Sequence, residues 1–174
     1  MCLWARGLVE APIDKVLHLF LSNDYVQDYN PMCQECLDIG WLDRATRLTW
    51  ATSRRVGPIS PRDFVTRCHY RKLRDGTLVV AQMSEQLPCL EFRAKGLSTT
   101  PYTRMEVLLC GYILRPIENG AQTELHMLSL SNPGGIFDTQ IGAATANFFA
   151  ATGPVNVITA IRKLCRKDFD YAVE

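Results

Sequence analysis

The sequence predicts an α+β domain in which a curved antiparallel sheet of about seven strands wraps around a long C-terminal helix. Three observations predict it. A hydrophobic period of two runs from about residue 35 to residue 131. A helical period precedes this stretch and returns after it, from about Phe137. Between the alternating runs stand compact turn signals, Arg74-Asp75-Gly76 and Glu118-Asn119-Gly120, each placing glycine where a hairpin requires positive φ.

Taken in order, Leu3 to Val9 reads as a short strand. Ala11-Pro12-Ile13-Asp14 opens a helix, with proline where a missing N–H does no harm, and Val16, Leu17 and Phe20 supply its apolar face. Asp24 to Pro31 is a second, broken helical or loop piece. The six strands that follow are Glu35–Leu42, Thr46–Arg54, Asp63–Leu73, Thr77–Glu85, Arg104–Arg115 and Gln122–Ser131. Arg54 to Pro61 is a proline-rich loop, and Pro88 to Pro101 a longer one with room for a short strand at Leu90–Ala94. Asn132-Pro133-Gly134-Gly135 ends the sheet. In the last helix Gly153-Pro154 predicts a kink or a restart, because proline removes a backbone bond and clashes one turn back.

The chain has 174 residues, 47% hydrophobic and 21% charged, which fits one globular domain with a full core and excludes a disordered chain. Nineteen basic residues against eighteen acidic give a net charge of +1, so no whole-molecule field draws in nucleic acid. Seven cysteines form no paired framework, and the N-terminus lacks a charged segment followed by an apolar one; reduced thiols in the cytoplasm are expected. Residues 139–161 carry no charge, but only 13 of the 23 are apolar, and Gln140, Asn147, Asn156 and Gly153-Pro154 interrupt them. A spanning helix is not expected.

Chemistry-bearing patterns are few. Cys33-Gln34-Glu35-Cys36 has metal or redox spacing, yet no second pair completes four zinc ligands and no βαβ unit surrounds it; no metal and no cofactor are expected. His18, His69 and His126 are scattered, and no nucleophile elbow, zinc helix or phosphate loop stands in the sequence. On Asp63–Leu73 the even positions Phe64, Thr66, Cys68 and Tyr70 form one face and the charged odd positions the other, while Leu48 and Trp50 share a face of the preceding strand. Such a face fills a core or lines a cavity, and alternation does not separate the two. The inward set of 77–85 depends on turn length, which leaves both sets open.

Five segments, in order, carry a resemblance. Tyr29-Asn30-Pro31 resembles the W-[DN]-P element of the StAR-related lipid-transfer (START) domain, and Ser60-Pro61-Arg62-Asp63-Phe64-Val65 resembles its Arg-Asp signature. Asp75-Gly76 with the strand reaching Ser84 is similar to its next hairpin. Tyr102-Thr103-Arg104-Met105-Glu106 and Gly111-Tyr112-Ile113-Leu114-Arg115-Pro116 resemble its following strands. Asn132-Pro133-Gly134-Gly135 and the Gly153-Pro154 helix are similar to its C-terminal part, most of all in the phosphatidylcholine-transfer branch. The similarity runs from about residue 3 to residue 168; relative to the family, the N-terminal helix and first strands are read as missing.

The resemblance implies a helix-grip fold over 1–174 that holds one lipid in an internal cavity and carries it between membranes, without catalysis. The cavity residues implied are Leu48, Trp50, Phe64, Cys68, Tyr70, Met83, Leu108, Tyr112, Phe148, Thr152, Val155 and Ile158. The C-terminal helix and the loop Val56, Gly57, Pro58, Ile59 would act as a lid, with Lys163, Arg166 and Lys167 steering it to anionic headgroups. Trp50 and Phe64 fall on two aromatic-cage positions of phosphatidylcholine binders, with Leu108 on the third; Val26 and Asn30 replace the Arg and Asp that flank the headgroup. Cys68 stands where sterol binders have an arginine. Partners implied are a phospholipid, sterol or other apolar lipid and a transient membrane surface, with the protein a monomer. Two rivals stand beside this reading: a polyketide-cyclase-type enzyme using Tyr70, Tyr112 or His126, and a ligand-free protein-interaction domain.

Overall fold

The computed structural model describes residues 2–55, 60–86, 101–132, 134 and 140–167, the stretch 140–152 as backbone. The element order is β1 (Cys2–Val9), α1 (Ile13–Leu21), a short 3₁₀ turn (Asn23–Tyr25), α2 (Val26–Tyr29), β2 (Cys33–Asp43), β3 (Thr46–Ser53), β4 (Arg62–Lys72), β5 (Leu78–Ser84), β6 (Thr103–Arg104), β7 (Glu106–Ile117), β8 (Gln122–Asn132) and α3 (Gln140–Cys165). These strands form one curved sheet in the order β1-β8-β7-β5-β4-β3-β2, antiparallel throughout except where the two-residue β6 runs parallel to β4. The α+β helix-grip architecture is therefore present. At Pro154, where the sequence predicts a kink or a restart, the helix does not restart: it runs through as one element.

Burial along the strands shows which face each residue serves. Ala5 and Val9 of β1, Cys68 of β4, Leu78 and Val80 of β5, Leu114 of β7 and Leu125 of β8 form one cluster with α1 and the C-terminal half of α3. This inner face is closed by Val16, Leu17, Leu19 and Phe20 from α1 and by Ile158, Ile161 and Leu164 from α3. Nine residues of α1 place five apolar side chains in that interior, which explains why so short a helix persists. At its end Arg47 of β3 donates to the carbonyls of Leu21 (2.7 Å) and Phe20 (3.0 Å), satisfying groups a helix leaves open and meeting the negative end of its dipole.

The β4–β5 hairpin settles the register that the sequence left open. Asp75 Oδ1 accepts the Thr77 N–H at 3.0 Å, Gly76 takes φ +83°, and Lys72 pairs with Leu78. Thr66, Cys68 and Tyr70 therefore face Ser84, Gln82 and Val80, so the even positions of β5 point inward. Met83 lies on the outer face, 54% exposed, and is not a cavity residue.

A second register corrects two more expectations. Thr49 pairs with Thr66 and Ala51 with Phe64, so the odd positions of β3 share the inner face with the even positions of β4. Leu48 and Trp50 point the other way. Trp50 packs on the outer face with Val65, Ile39 and Tyr102. Alternation located both faces of β3 correctly but could not say which one met Phe64; only the pairing does.

Candidate functional site

The inner face divides into two halves. Toward one end its cross-strand rows are Tyr70–Val80–Tyr112–Met127–Ala5 and Lys72–Leu78–Leu114–Leu125–Gly7. Against these rows α1 and the C-terminal half of α3 pack without a gap; Leu114, Leu125 and Ile161 have no exposed surface. Gly7 makes the contact possible, since a Cβ there would sit 2.7 Å from Ile158 Cγ2. Toward the other end the rows are Arg47–Cys68–Gln82–Cys110–Ser129 and Thr49–Thr66–Ser84, which are polar or sulfur-bearing.

Over this second half lies a cavity of about 150 Å³. Its roof is Phe20 of α1 with Val26, Tyr29 and Asn30 around α2, its side wall is Cys33 and Cys36 of β2, and its floor is Thr49, Phe64, Thr66, Gln82 and Tyr112. Phe20 and Tyr112 stack at 3.9 Å between ring centroids and 23° between planes, and Tyr29 meets Phe20 edge-on at 5.6 Å. Burial pushes the phenols of Tyr29 and Tyr112 above their ordinary values, so both are neutral hydrogen-bonding groups. Burial also raises Cys33, and it pushes Cys36, with the neighbouring Cys33 adding to it, up to about 12. These are inert thiols, each donating to an oxygen: Cys33 to the Glu35 carbonyl and Cys36 to Asn23 Oδ1, both at 3.4 Å.

Charge at the site is compensated. Arg47 Nη1 donates to Asp38 Oδ2 at 3.0 Å, Thr49 Oγ1 donates to Asp38 Oδ1 at 3.2 Å, and the Arg47 guanidinium lies 5.9 Å from the Trp41 ring centroid. Among the described residues no group of three or more His, Cys, Asp or Glu is placed to hold a metal ion. None of their helices is long and apolar enough to cross a membrane.

Below the cavity a polar clasp ties together the chain segments that enter and leave the sheet. Asp63, 1% exposed, accepts from Arg104 Nε and Nη2 (2.9 and 2.7 Å) and from Trp50 Nε1 (3.2 Å). Arg62 donates to the carbonyl of Ser60 and, at 3.2 Å, to that of Gly134. The Arg-Asp pair of the resemblance is thus structural glue: it fixes the base of the 54–61 loop, β6 and the approach to α3 to one another.

The expected site residues scatter. Phe64 and Tyr112 line the cavity. Cys68 faces inward but is a filled core position, 2% exposed. Tyr70 is also on the inner face, and its hydroxyl donates to the Arg44 carbonyl at 2.7 Å. Ile158 fills core against β1. Leu48, Trp50 and Met83 are on the outer face, as described above. Leu108, a cavity position by the resemblance, is instead 45% exposed at a bulge between Val107 and Leu109, where an extra residue breaks the alternation. Val155 is 58% exposed, one step off the buried stripe of α3 that holds Ile158 and Ile161. Phe148, Thr152 and the lid loop Val56, Gly57, Pro58, Ile59 lie outside the residues whose side chains are described. Lys163, Arg166 and Lys167 are exposed at the end of α3, with Arg166 3.1 Å from Glu10.

His126 sits on the outer face, 3.0 Å from Glu124 and against Trp4, so it cannot act in the cavity. The cavity residues that the sequence does not assign to a site are Thr49 and Gln82, whose face the unknown registers conceal, Phe20, which reads as the apolar face of α1, Tyr29, which reads only as part of the Tyr29-Asn30-Pro31 element, and Cys33 and Cys36, which carry only metal or redox spacing. A trough of about 300 Å³ lies on the outer face, lined by Trp4, Leu109, Ile113, His126 and Leu128 among others. Its floor is Gly111, where a Cβ would lie 2.2 Å from the Val80 carbonyl oxygen.

The comparisons agree with this geometry. No curated protein matches the chain in sequence. Human STARD10 superposes with a TM-score of 0.77 at 15% identity, over 93% of this chain and 63% of its own, so the present chain spans under two thirds of that relative. Human StAR-related lipid transfer protein 5 gives 0.76 at 15% identity, over 94% and 76%. The Zhui aromatase/cyclase of Streptomyces sp. R1128 gives 0.60 at 11% identity, over 95% and 93%. The START domain family model matches residues 5–142, well over half of the sequence, and the chain belongs to that family.

Proposed function

We propose that the protein binds one lipid molecule between the inner face of the sheet and α3 and carries or presents it between membranes, without catalysing a reaction. Membership of the START family and the names of its structural neighbours support lipid binding and transfer in general. The observation that carries the reading for this chain is the divided inner face. One half is packed solid, while the other keeps a cavity of about 150 Å³ roofed by α1 and α2. A protein that needed only a core would fill both.

Transfer requires an opening. The lid proposed is the 54–61 loop with the N-terminal half of α3, hinged at the Arg62–Gly134 and Asp63–Arg104 contacts. Lys163, Arg166 and Lys167, at the opposite, C-terminal end of α3, would draw the helix toward anionic headgroups, at about 1 kcal/mol per basic residue near such a surface. A catalytic role has little to work with. Of the three groups considered, His126 faces outward and the Tyr70 hydroxyl is bonded to a main-chain carbonyl, so neither serves Tyr112 as a base. The proposed working form is a cytoplasmic monomer.

Native mass spectrometry of the purified chain, followed by transfer of a fluorescent phosphatidylcholine or sterol between vesicles, tests the reading. A co-purifying lipid mass together with protein-dependent transfer is expected. An empty protein that moves neither lipid would refute it.

A further inference from the structure

Resting on the reading that a guest occupies the grip, we propose that this guest carries one neutral, oxygenated aromatic ring, a phenol or a quinone, at the head of an apolar remainder, and that the ring seats between α1–α2 and the polar half of the sheet.

Size is the first argument. A cavity of about 150 Å³ is on the order of the space that accepts benzene in an engineered apolar core. A fused four-ring body or a phospholipid headgroup with its glycerol exceeds it, whereas one ring fits and leaves its tail to run along the grip toward α3.

The walls favour a flat π-system. Phe20, Tyr29, Phe64 and Tyr112 are presented around the space, and the sulfurs of Cys33 and Cys36 supply polarisable edges that pack well on aromatic faces. Saturated chains would gain only dispersion here, which any apolar lining provides.

The floor then demands oxygen. Thr66 is 3% exposed, and its hydroxyl has no hydrogen-bond partner among the described residues. Gln82 Nε2 reaches only a weak acceptor, Cys68 Sγ at 3.6 Å, so its carbonyl oxygen and second N–H are unspent. An acyl chain laid over these groups would seal them from water unpaired, which is unfavourable for each group. A ring hydroxyl donates to Gln82 Oε1 or accepts from Thr66, and a ring carbonyl accepts from either.

Neutrality follows from Arg47. Its Nη atoms are committed to Asp38 and to the end of α1, which balances its charge against a carboxylate or phosphate and leaves only the buried Nε–H without a partner, a donor suited to a neutral oxygen. Among the described residues that line the space none is an acid free for a cationic headgroup, and the nearby Asp38 is likewise taken.

Calorimetric titration of the full chain with 4-propylphenol, tetramethyl-1,4-benzoquinone and propylbenzene separates the outcomes, alongside loading with a fluorescent phosphatidylcholine. At least one oxygenated probe is expected to bind about tenfold tighter than propylbenzene, and the stronger of the two says whether the ring is a phenol or a quinone. Thr66→Val with Gln82→Leu should erase that preference and leave propylbenzene within about twofold, while Thr66→Ser keeps it and shows that the loss is not misfolding. Equal binding of all three small probes overturns the ring assignment. If phosphatidylcholine still loads, the carrier reading survives that result; if no probe binds at all, the carrier reading falls and this inference with it.

Discussion

The two halves of the inner face are built on the same strands, and the positions that set them apart lie four residues from one another along each. At Leu78, Leu114 and Leu125 the strands present branched aliphatic groups to Ile161 and Leu164, and nothing is left open. At Gln82, Cys110 and Ser129, two inward-facing positions further along, the same strands present an amide, a thiol and a hydroxyl. A packed core and an open cavity therefore share one sheet, and the first holds the geometry of the second.

Truncations at the apolar half should expose this division most strongly. Leu114→Ala and Ile161→Ala each remove a side chain with no exposed surface from a site that cannot collapse. A loss of about 3–4 kcal/mol in unfolding free energy is expected for either, read from denaturant midpoints at constant slope. If Leu114→Ala costs under about 1 kcal/mol, that half is not the solid block described and the contrast disappears.

The clasp below the cavity comes next in size. Asp63→Ala removes the acceptor of three hydrogen bonds from a position that is 1% exposed, while its ion-pair partner Arg104 is 45% exposed. The half-solvated arginine recovers part of the loss in water, so about 2 kcal/mol is expected rather than the larger cost of breaking a fully buried pair. Because the clasp joins the 54–61 loop base, β6 and the approach to α3, the same variant should speed lipid release in a vesicle-transfer assay. A destabilised protein with unchanged release rate would show the clasp to be glue without a gate.

At the polar half the expectation reverses. Gln82→Leu and Thr66→Val replace a half-buried amide and a buried hydroxyl, both incompletely satisfied, by side chains of similar volume. Unfolding free energy should move by less than about 1 kcal/mol, and upward as readily as downward. A residue serving the fold would not behave this way.

How much of this was legible beforehand depends on what periodicity can and cannot encode. The alternation of Phe64, Thr66, Cys68 and Tyr70 against Asp63, Arg67, His69 and Arg71 was enough to define both faces of β4, and the helical return past Phe137 marked α3. Turn chemistry at Asp75-Gly76 located the hairpin but not its register, and Met83 was placed inside when Gln82 belongs there. Leu48 and Trp50 are cavity positions by the resemblance alone, and only the β3–β4 register shows that Thr49 and Ala51 face inward while Trp50 serves a small outer cluster with Val65. The bulge before Leu109 moved Leu108 out of phase, and a bulge leaves no mark in a hydrophobic pattern. The roof of the cavity was the least legible part, since Phe20 and Tyr29 reach Tyr112 across about 80–90 residues of chain through tertiary contact alone.

The smallest effect is a titration, and it distinguishes a dry chamber from a wet one. Cys36 lines the cavity and, mainly through burial, its thiol is pushed up to about 12 from 9.0. In the unfolded chain the thiol ionises near its ordinary value, while in the folded chain it holds its proton well beyond that. Its stabilising contribution is therefore complete below about pH 9 and is lost progressively as pH rises from there toward 12, because only the unfolded state gains from ionisation. Cys36→Ala should flatten part of the alkaline fall in stability without changing the neutral plateau by more than a cavity of one sulfur. The exposed Cys2 gives the internal reference: at pH 8 it should react with a disulfide reagent at the rate of a free thiol, while Cys36 reacts only as fast as the chamber opens. Comparable rates at the two positions would mean that water already fills the space assigned to the guest, and that the polar half of the sheet is an ordinary solvated surface.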